Sequence, residues 1–238
     1  MLISVVLYVV LMLTWSDVSI GCYRSHNLDP YCNFAGYVDR AVFTLNHILE
    51  KTDPEGLIST ITASVTTFIG YLYGLMVLKL KTRPLNLVKI WLINAAIFGL
   101  LIYPCSLFMP FNKRLYTTTF LFTNLCSCSL VLSLFMFVLD ILPKKYPQVK
   151  SKVVKIVQPL NWLGLNPLAV FILLQLVGDI MDGWISWNGD RTPFKALYDA
   201  CFSWMGAYIG TLVYTVFYGV VLTLAGGLLF RYKIFIRL

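Results

Sequence analysis

The feature that most constrains this chain is a series of long apolar runs that are nearly free of charge. They occupy residues 57–78, 90–108, 116–142, 162–181 and 202–230. The hydrocarbon core of a bilayer is about 30 Å thick and takes about 20 helical residues to cross. Inside it, unpaired backbone groups find no water, so only helices and closed barrels span. Barrel strands would show alternating segments of about ten residues, and these runs do not alternate. The expectation is an all-α, polytopic helical membrane protein. A sixth apolar segment, residues 2–15, would extend only about 22 Å as a helix. It fits a short span, or the core of a signal peptide that lacks a basic n-region. Counting it gives about six transmembrane helices in a single transmembrane domain, residues 1–238.

Composition agrees. Of the 238 residues, 58% are hydrophobic and 13% charged, where a soluble domain carries roughly 25% charged residues. Fixed-period repeats, Gly/Ser linkers and low-complexity stretches are not seen.

The distribution of charge predicts topology. Lys79, Lys81, Arg83 and Lys89 fall in one connection, Lys144, Lys145, Lys150, Lys152 and Lys155 in the next but one, and Arg231, Lys233 and Arg237 in the tail. Arg24, Arg40, Lys51, Lys113, Arg114, Arg191 and Lys195 fall in the alternate connections, with every Asp and Glu except Asp140 and Asp179. The positive-inside rule then puts both termini in the cytosol. Loops 16–56, 109–115 and 182–201 face the lumen or exterior. The net charge of +8 follows from this bias. No basic stripe is interleaved with stacking aromatics, so nucleic acid is not an expected partner. Membrane lipid is, and the Lys144–Lys155 connection is suited to anionic headgroups at about 1 kcal/mol per basic residue.

The six cysteines sort by side. Cys22 and Cys32 share the first lumenal loop, where Gly21, Pro30 and Gly36 allow the chain to fold back, and a disulfide between them is expected in an oxidising lumen. Cys105 and Cys201 sit near lumenal helix ends, and Cys126 and Cys128 lie inside the run at 116–142. His26 and His47 are the only histidines. No spacing suggests a zinc site, and no metal is expected.

Several polar residues admit two roles. Asp53-Pro54-Glu55 precedes the run at 57–78 and reads as N-cap, N1 proline and an acid favoured by the helix dipole. The same carboxylates would stand at the lumenal mouth. A helix N-terminus lowers a carboxylate pKa, so positioning suits Glu55 better than general-base work. Asp39 and Arg40 serve either loop ion pairs or, through the planar guanidinium, a sulfate or carboxylate of a ligand. His47 is a solvated loop residue or a group that titrates in an acidic lumen. Asn112 and Lys113 form a short polar turn with a snorkelling lysine, or contact substrate. Asp140 pairs with Lys144 at i,i+4, or stands at a cytosolic mouth. Asn166-Pro167 starts a helix or unwinds one beside a cavity. Thr60, Ser64, Thr67, Tyr71 and Gly74 make one small, polar face, expected to pack against another helix, with a substrate path as the alternative. Gly206 and Gly210 form a small-xxx-small pair of the same packing type.

The order of short motifs carries a resemblance. Gly36-Tyr37-Val38-Asp39-Arg40, His47 and Asp53-Pro54-Glu55-Gly56-Leu57 are followed by Pro110-Phe111-Asn112-Lys113-Arg114-Leu115. Leu139-Asp140, Gly164-Leu165-Asn166 and the basic end Arg231-Tyr232-Lys233-Ile234-Phe235 complete the set. In this order, and at these positions relative to the runs, they resemble the heparan-α-glucosaminide N-acetyltransferase family of membrane enzymes. The resemblance implies transfer of acetyl from cytosolic acetyl-CoA, as co-substrate, to a lumenal amino sugar such as the terminal glucosamine of heparan sulfate. It implies a lysosomal or other endomembrane location, the plasma membrane being the alternative. It implies substrate contacts from Asp39, Arg40, His47, Asp53, Glu55, Asn112, Lys113 and Asn166, and a cytosolic-mouth contact from Asp140.

The chain departs from that pattern in one respect. It resembles the C-terminal half of the family, and neither His26 nor His47 matches the histidine to which catalysis is assigned. The expected partners are therefore an N-terminal half of the same enzyme, or a second copy of the chain. On its own the chain is expected not to acetylate. The other function that fits the residues is a non-catalytic, transporter-like or binding membrane protein.

Overall fold

A computed structural model describes residues 2–23, 28, 29, 31–44, 56–80, 82–179 and 192–236. These residues divide into two compact units, residues 1–147 and 148–238.

In the first unit, helices α1 (Leu2–Thr14) and α2 (Phe34–Phe43) precede three long helices, α3 (Leu57–Leu80), α4 (Pro84–Phe108) and α5 (Thr118–Met136). A π-helical turn, Phe137–Ile141, joins α5 to the short α6 (Leu142–Lys145). Pro143 explains the π turn. It has no N–H to give to Leu139, and its ring would meet that carbonyl in a regular α-helix. The chain widens by one residue instead, and Leu142 N–H bonds to Phe137 O.

Helix α3, helix α4 and the continuous segment Thr118–Lys145 are long and apolar enough to cross a membrane. Their outward faces are apolar and exposed, as at Leu92, Ile93, Leu100 and Leu134, which suits contact with lipid tails. Between them lies a core of Val65, Ile69, Tyr73, Leu87, Trp91, Leu121 and Leu125. Lipid tails are as apolar as leucine, so helix association in a bilayer relies on close packing and on hydrogen bonds. Both are present. Tyr73 Oη and Ser129 Oγ are 2.9 Å apart, and Asn94 Nδ2 donates to Tyr73 Oη at 3.0 Å.

Helix α1 has 13 residues, about 20 Å of length, and falls short of a spanning helix. One face packs within the protein, while Ile3, Val6, Leu7 and Val10 are exposed. Tyr8 and Met12 form a second core with Ala35, Met109 and Leu115, and Tyr8 Oη donates to Leu115 O at 2.5 Å.

The second unit contains α7 (Lys150–Leu165), α8 (Pro167–Asp179), α9 (Pro193–Cys201) and α10 (Ala207–Arg231). Only α10 is a straight candidate span. The single run expected over 162–181 is instead broken, with Pro147–Leu165 and Pro167–Gly178 bent by 75°. Pro167 disfavours α-helical backbone at the residue before it, and Asn166 sits at φ −131°, ψ 51°. The described residues therefore contain four helices able to span, or five if the bent pair is one crossing, where the sequence suggests six.

The Gly206–Gly210 pair is not a helix-packing motif. Gly206 precedes α10 at φ +85°, and a Cβ on Gly210 would lie 2.5 Å from Phe202 O. The close helix approach is made by Gly227, where a Cβ would come within 2.8 Å of the Trp162 ring on α7. Trp162 also stacks on Phe230. Among the described residues there is no β-strand; the backbone pairing outside helices is an isolated bridge, Asp17 with Cys22.

Candidate functional site

The site is built on the hairpin between α4 and α5. Asn112 organises it. Its side-chain Oδ1 accepts from Arg114 N at 2.9 Å and Leu115 N at 3.3 Å, an Asx turn that closes the loop on itself. Thr117 is fully buried. Its Oγ1 donates to Pro110 O at 3.1 Å and accepts from Asn112 N at 3.1 Å and, as the cap of α5, from Phe120 N. Thr119 Oγ1 donates to Met109 O at 2.6 Å.

This network holds Tyr116 at φ +50°, a left-handed conformation that costs a bulky residue about 1–3 kcal/mol. The surrounding bonds fix it there. Thr62 Oγ1 donates to Tyr116 O at 3.0 Å, Tyr116 Oη lies 3.0 Å from Thr66 Oγ1, and the ring meets Phe120 edge-on at 4.8 Å.

The consequence is a groove of about 720 Å³ lined by Ser59, Thr60 and Ala63 of α3, Lys113, Arg114 and Tyr116 of the hairpin, and Phe120 and Asn124 of α5. That volume lies in the range of small-molecule sites. Two cations, two hydroxyls, an amide and two aromatic rings converge there. They offer a ring face, hydrogen bonds and positive charge, the complement of a hydroxyl-rich anionic ligand. Ser59 and Thr60 already donate to Gly56 O, at 2.8 and 2.9 Å, so their oxygens remain as acceptors. Among the described residues the lining holds no carboxylate and no imidazole, and its groups suit binding and orienting a ligand.

The candidates from the sequence separate. Lys113 lines the groove. Asn112 shapes the turn beside it. Asp39 does not line it: it is buried at 1% exposure, and its Oδ1 accepts the backbone N–H of Leu57 at 2.9 Å. Arg40 donates through Nη2 to Tyr31 O at 2.8 Å. Asn166 lies in the second unit, fully buried, with Nδ2 donating to Ile234 O and Oδ1 accepting from Ile236 N. Asp140 is exposed in the π turn, away from the groove lining. His47, Asp53 and Glu55 lie outside the described residues.

Cys22 and Cys32 are joined by a disulfide, with Cα atoms 5.0 Å apart. It closes the loop against α2, whose first turn Asn33 caps by accepting from Gly36 N at 2.6 Å. Among the described residues no group of three His, Cys, Asp or Glu side chains is placed to hold a metal.

The polar face of α3 is placed opposite to expectation. Thr60, Ser64, Thr67, Tyr71 and Gly74 are exposed, and the packed face is Ser59, Thr62, Val65, Ile69 and Tyr73. Arg114, Tyr116 and Asn124 were not singled out from sequence. The available signal was Asn124, an amide inside an otherwise apolar run.

No family model matches the chain. Two curated relatives do. The heparan-alpha-glucosaminide N-acetyltransferase of Homo sapiens is 28% identical over 156 residues, 58% of this chain and 22% of that protein. The enzyme of the same name from Mus musculus is 26% identical over 163 residues, 60% of this chain and 23% of that protein. The chain thus spans under a quarter of either relative. The resemblance read from the order of motifs stands: this chain of membrane-spanning helices is similar to heparan-alpha-glucosaminide N-acetyltransferases.

Proposed function

We propose that this chain is the acceptor-binding part of a membrane N-acetyltransferase. Acetyl comes from acetyl-CoA on the cytosolic side and passes to an amino sugar on the lumenal side, such as the terminal glucosamine of heparan sulfate. An amide bond forms as the thioester C–S bond breaks, and the amine loses its proton to a base. The observation that carries this is the groove itself: Lys113 and Arg114 meet Ser59, Thr60 and Asn124 beside the Tyr116 and Phe120 rings. A sulfated or carboxylated sugar offers the matching anion, hydroxyls and apolar ring face. The names of the relatives support the choice of transfer chemistry. The alternation of Lys and Arg supports a lumenal place for the groove and a cytosolic place for both termini. An endomembrane such as the lysosome is the location that fits such an acceptor.

The groove supplies binding, so the base comes from elsewhere. We assign it to an N-terminal half of the same enzyme, fused or separate, and not to this groove. Removing a positioned base typically costs ~10²–10⁴-fold in rate. The test is acetyl-CoA-dependent acetylation of glucosamine by purified residues 1–238. The expected result is no turnover above background with acceptor binding retained. Robust turnover that vanishes in His47→Ala would move catalysis onto the loop before α3 and contradict the assignment.

A further inference from the structure

Among the described residues, Thr44, Tyr116 and Lys233 are the non-glycines with positive φ. Thr44 caps the C-terminus of α2 and Lys233 follows the end of α10, places where positive φ commonly ends a helix. Tyr116 is different. It stands two residues before α5 and lines the groove. Glycine, asparagine or aspartate would adopt a left-handed backbone there at lower cost, so the turn itself does not call for tyrosine.

The bonds that hold Tyr116 come from one helix. On α3, Thr60 donates to Gly56 O, Ser64 to Ile61 O and Thr67 to Ala63 O, so these hydroxyls turn back on their own helix. Thr62 and Thr66, one turn apart, reach Tyr116. Thr62 Oγ1 lies 3.0 Å from both Ser59 O and Tyr116 O, and Thr66 Oγ1 lies 3.0 Å from the phenol oxygen. Relaxing Tyr116 to negative φ would turn its carbonyl and its ring away from α3. The strained backbone and both contacts therefore stand or fall together. Such strain persists only where the surroundings over-determine it, and it clusters at ligand sites. The ring also meets Phe120 edge-on at 4.8 Å, and Phe120 meets Phe111 at 5.3 Å. The aromatic part of the groove wall is thereby fixed, while Lys113 and Arg114 supply its charge.

We propose that Tyr116 is the specificity-determining residue of this groove and that Thr66 positions it. This role rests on the acceptor-binding function proposed above and adds selectivity to it. Charge alone draws any anion to Lys113 and Arg114, whether or not it carries a sugar ring. A fixed aromatic ring separates the two cases, because it gains contact only from a ligand with a flat apolar face, as a pyranose has. A ring free to turn would lose part of that gain to its own ordering on binding. Thr66 does not line the groove. It acts through the phenol, by holding the ring where a ligand meets it.

The experiment uses the full chain in neutral-lipid nanodiscs. Calorimetry measures two probes: a sulfated, glucosamine-terminated heparan oligosaccharide, and inorganic tripolyphosphate, a polyanion with no ring. The readout is the ratio of their affinities, which a general loosening of the fold does not shift. Thermal unfolding of each variant confirms folding. Tyr116→Leu should lower the ratio by ~3–10-fold, the worth of an aromatic contact. Thr66→Val and Tyr116→Phe remove the same hydroxyl contact, and each should lower it by ~3-fold, the average for a hydrogen bond between membrane helices. The double variant should be no worse than either single one, and Thr66→Ser should restore the ratio. Oligosaccharide binding by wild type with an unchanged ratio in Tyr116→Leu overturns the role of Tyr116 and leaves acceptor binding standing. An unchanged ratio in Thr66→Val, or additive losses in the double variant, overturns the role of Thr66. Failure of wild type to bind the oligosaccharide overturns acceptor binding and both roles with it.

Discussion

The Oδ1 atom of Asp39, buried on α2, accepts the backbone N–H of Leu57, the first residue of the spanning helix α3, at 2.9 Å. The start of α3 is thus capped by a residue distant in sequence. The approach is close enough that a Cβ on Gly56 would lie 2.0 Å from Asp39 Oδ2. Asp39→Ala is therefore expected to destabilise by ~1–3 kcal/mol, the effect of losing a buried charge-assisted bond. Gly56→Ala should destabilise by at least as much. The double variant should be little worse than Asp39→Ala alone, because the clash goes with the carboxylate. Thermal unfolding of the three variants in detergent checks this, and simple additivity would contradict it.

The disulfide closes the segment that presents α2. On the chain-entropy account, a loop of ten residues contributes roughly 3 kcal/mol. Non-reducing peptide mapping should recover the Cys22–Cys32 pair. Cys22→Ser/Cys32→Ser should lower the melting temperature, while Cys105→Ser should not reproduce the loss. Free alkylation of both thiols in protein taken from its native membrane would contradict the pairing.

Tyr73 links three helices through Ser129 and Asn94. Tyr73→Phe and Ser129→Ala remove the same contact, so their combined effect should fall short of their sum. Hydrogen bonds inside membrane proteins average ~0.6 kcal/mol and reach ~1.7, and the coupling should lie in that interval. A double-mutant cycle measures it directly, and zero coupling would show that the bond adds nothing.

Asn166 is fully buried and holds Ile234 and Ile236 with both ends of its amide. Asn166→Ala should release this segment. Amide exchange at Ile236 is expected to rise by ~10-fold or more, as two bonds of ~1 kcal/mol each are lost. Asn166→Asp keeps one acceptor and should fall between. Unchanged exchange in Asn166→Ala would mean that other contacts hold the segment.

Much of this was legible in the sequence because lipid imposes a simple rule. A run of about 20 apolar residues has few alternatives to a helix, so α3, α4, α5 and α10 appear close to where composition puts them. Residues 2–14 show the limit of that rule, since apolarity alone does not separate a span from a shorter helix with one face packed on Leu115. Asn166-Pro167 was readable as a break, but the partner of the Asn166 amide lies in the distant residues 234–236, and local sequence carries no trace of that. Asp39 reads in the sequence as a loop ion pair or a ligand contact for the same reason: its partner, Leu57 N, is a backbone group that any residue but proline supplies. On α3 the alternating small residues fix two candidate faces, and which one packs depends on α5 and the hairpin, through Ser129, Tyr116 and Leu121.

On the proposed reading, the groove at Lys113 receives an anionic amino sugar. This claim is tested most directly by equilibrium binding of a sulfated, glucosamine-terminated heparan oligosaccharide to the purified chain, by calorimetry in neutral-lipid nanodiscs at fixed low salt. Wild-type protein should bind, and binding should weaken as salt rises. Lys113→Gln, which removes one cation from the groove wall, should weaken it by ~5–30-fold, the worth of one charge-assisted bond of ~1–2 kcal/mol. Lys195→Gln, a basic residue of α9 outside the groove, should leave it unchanged. Equal binding by wild type and Lys113→Gln, or equal weakening by the two variants, would contradict the claim.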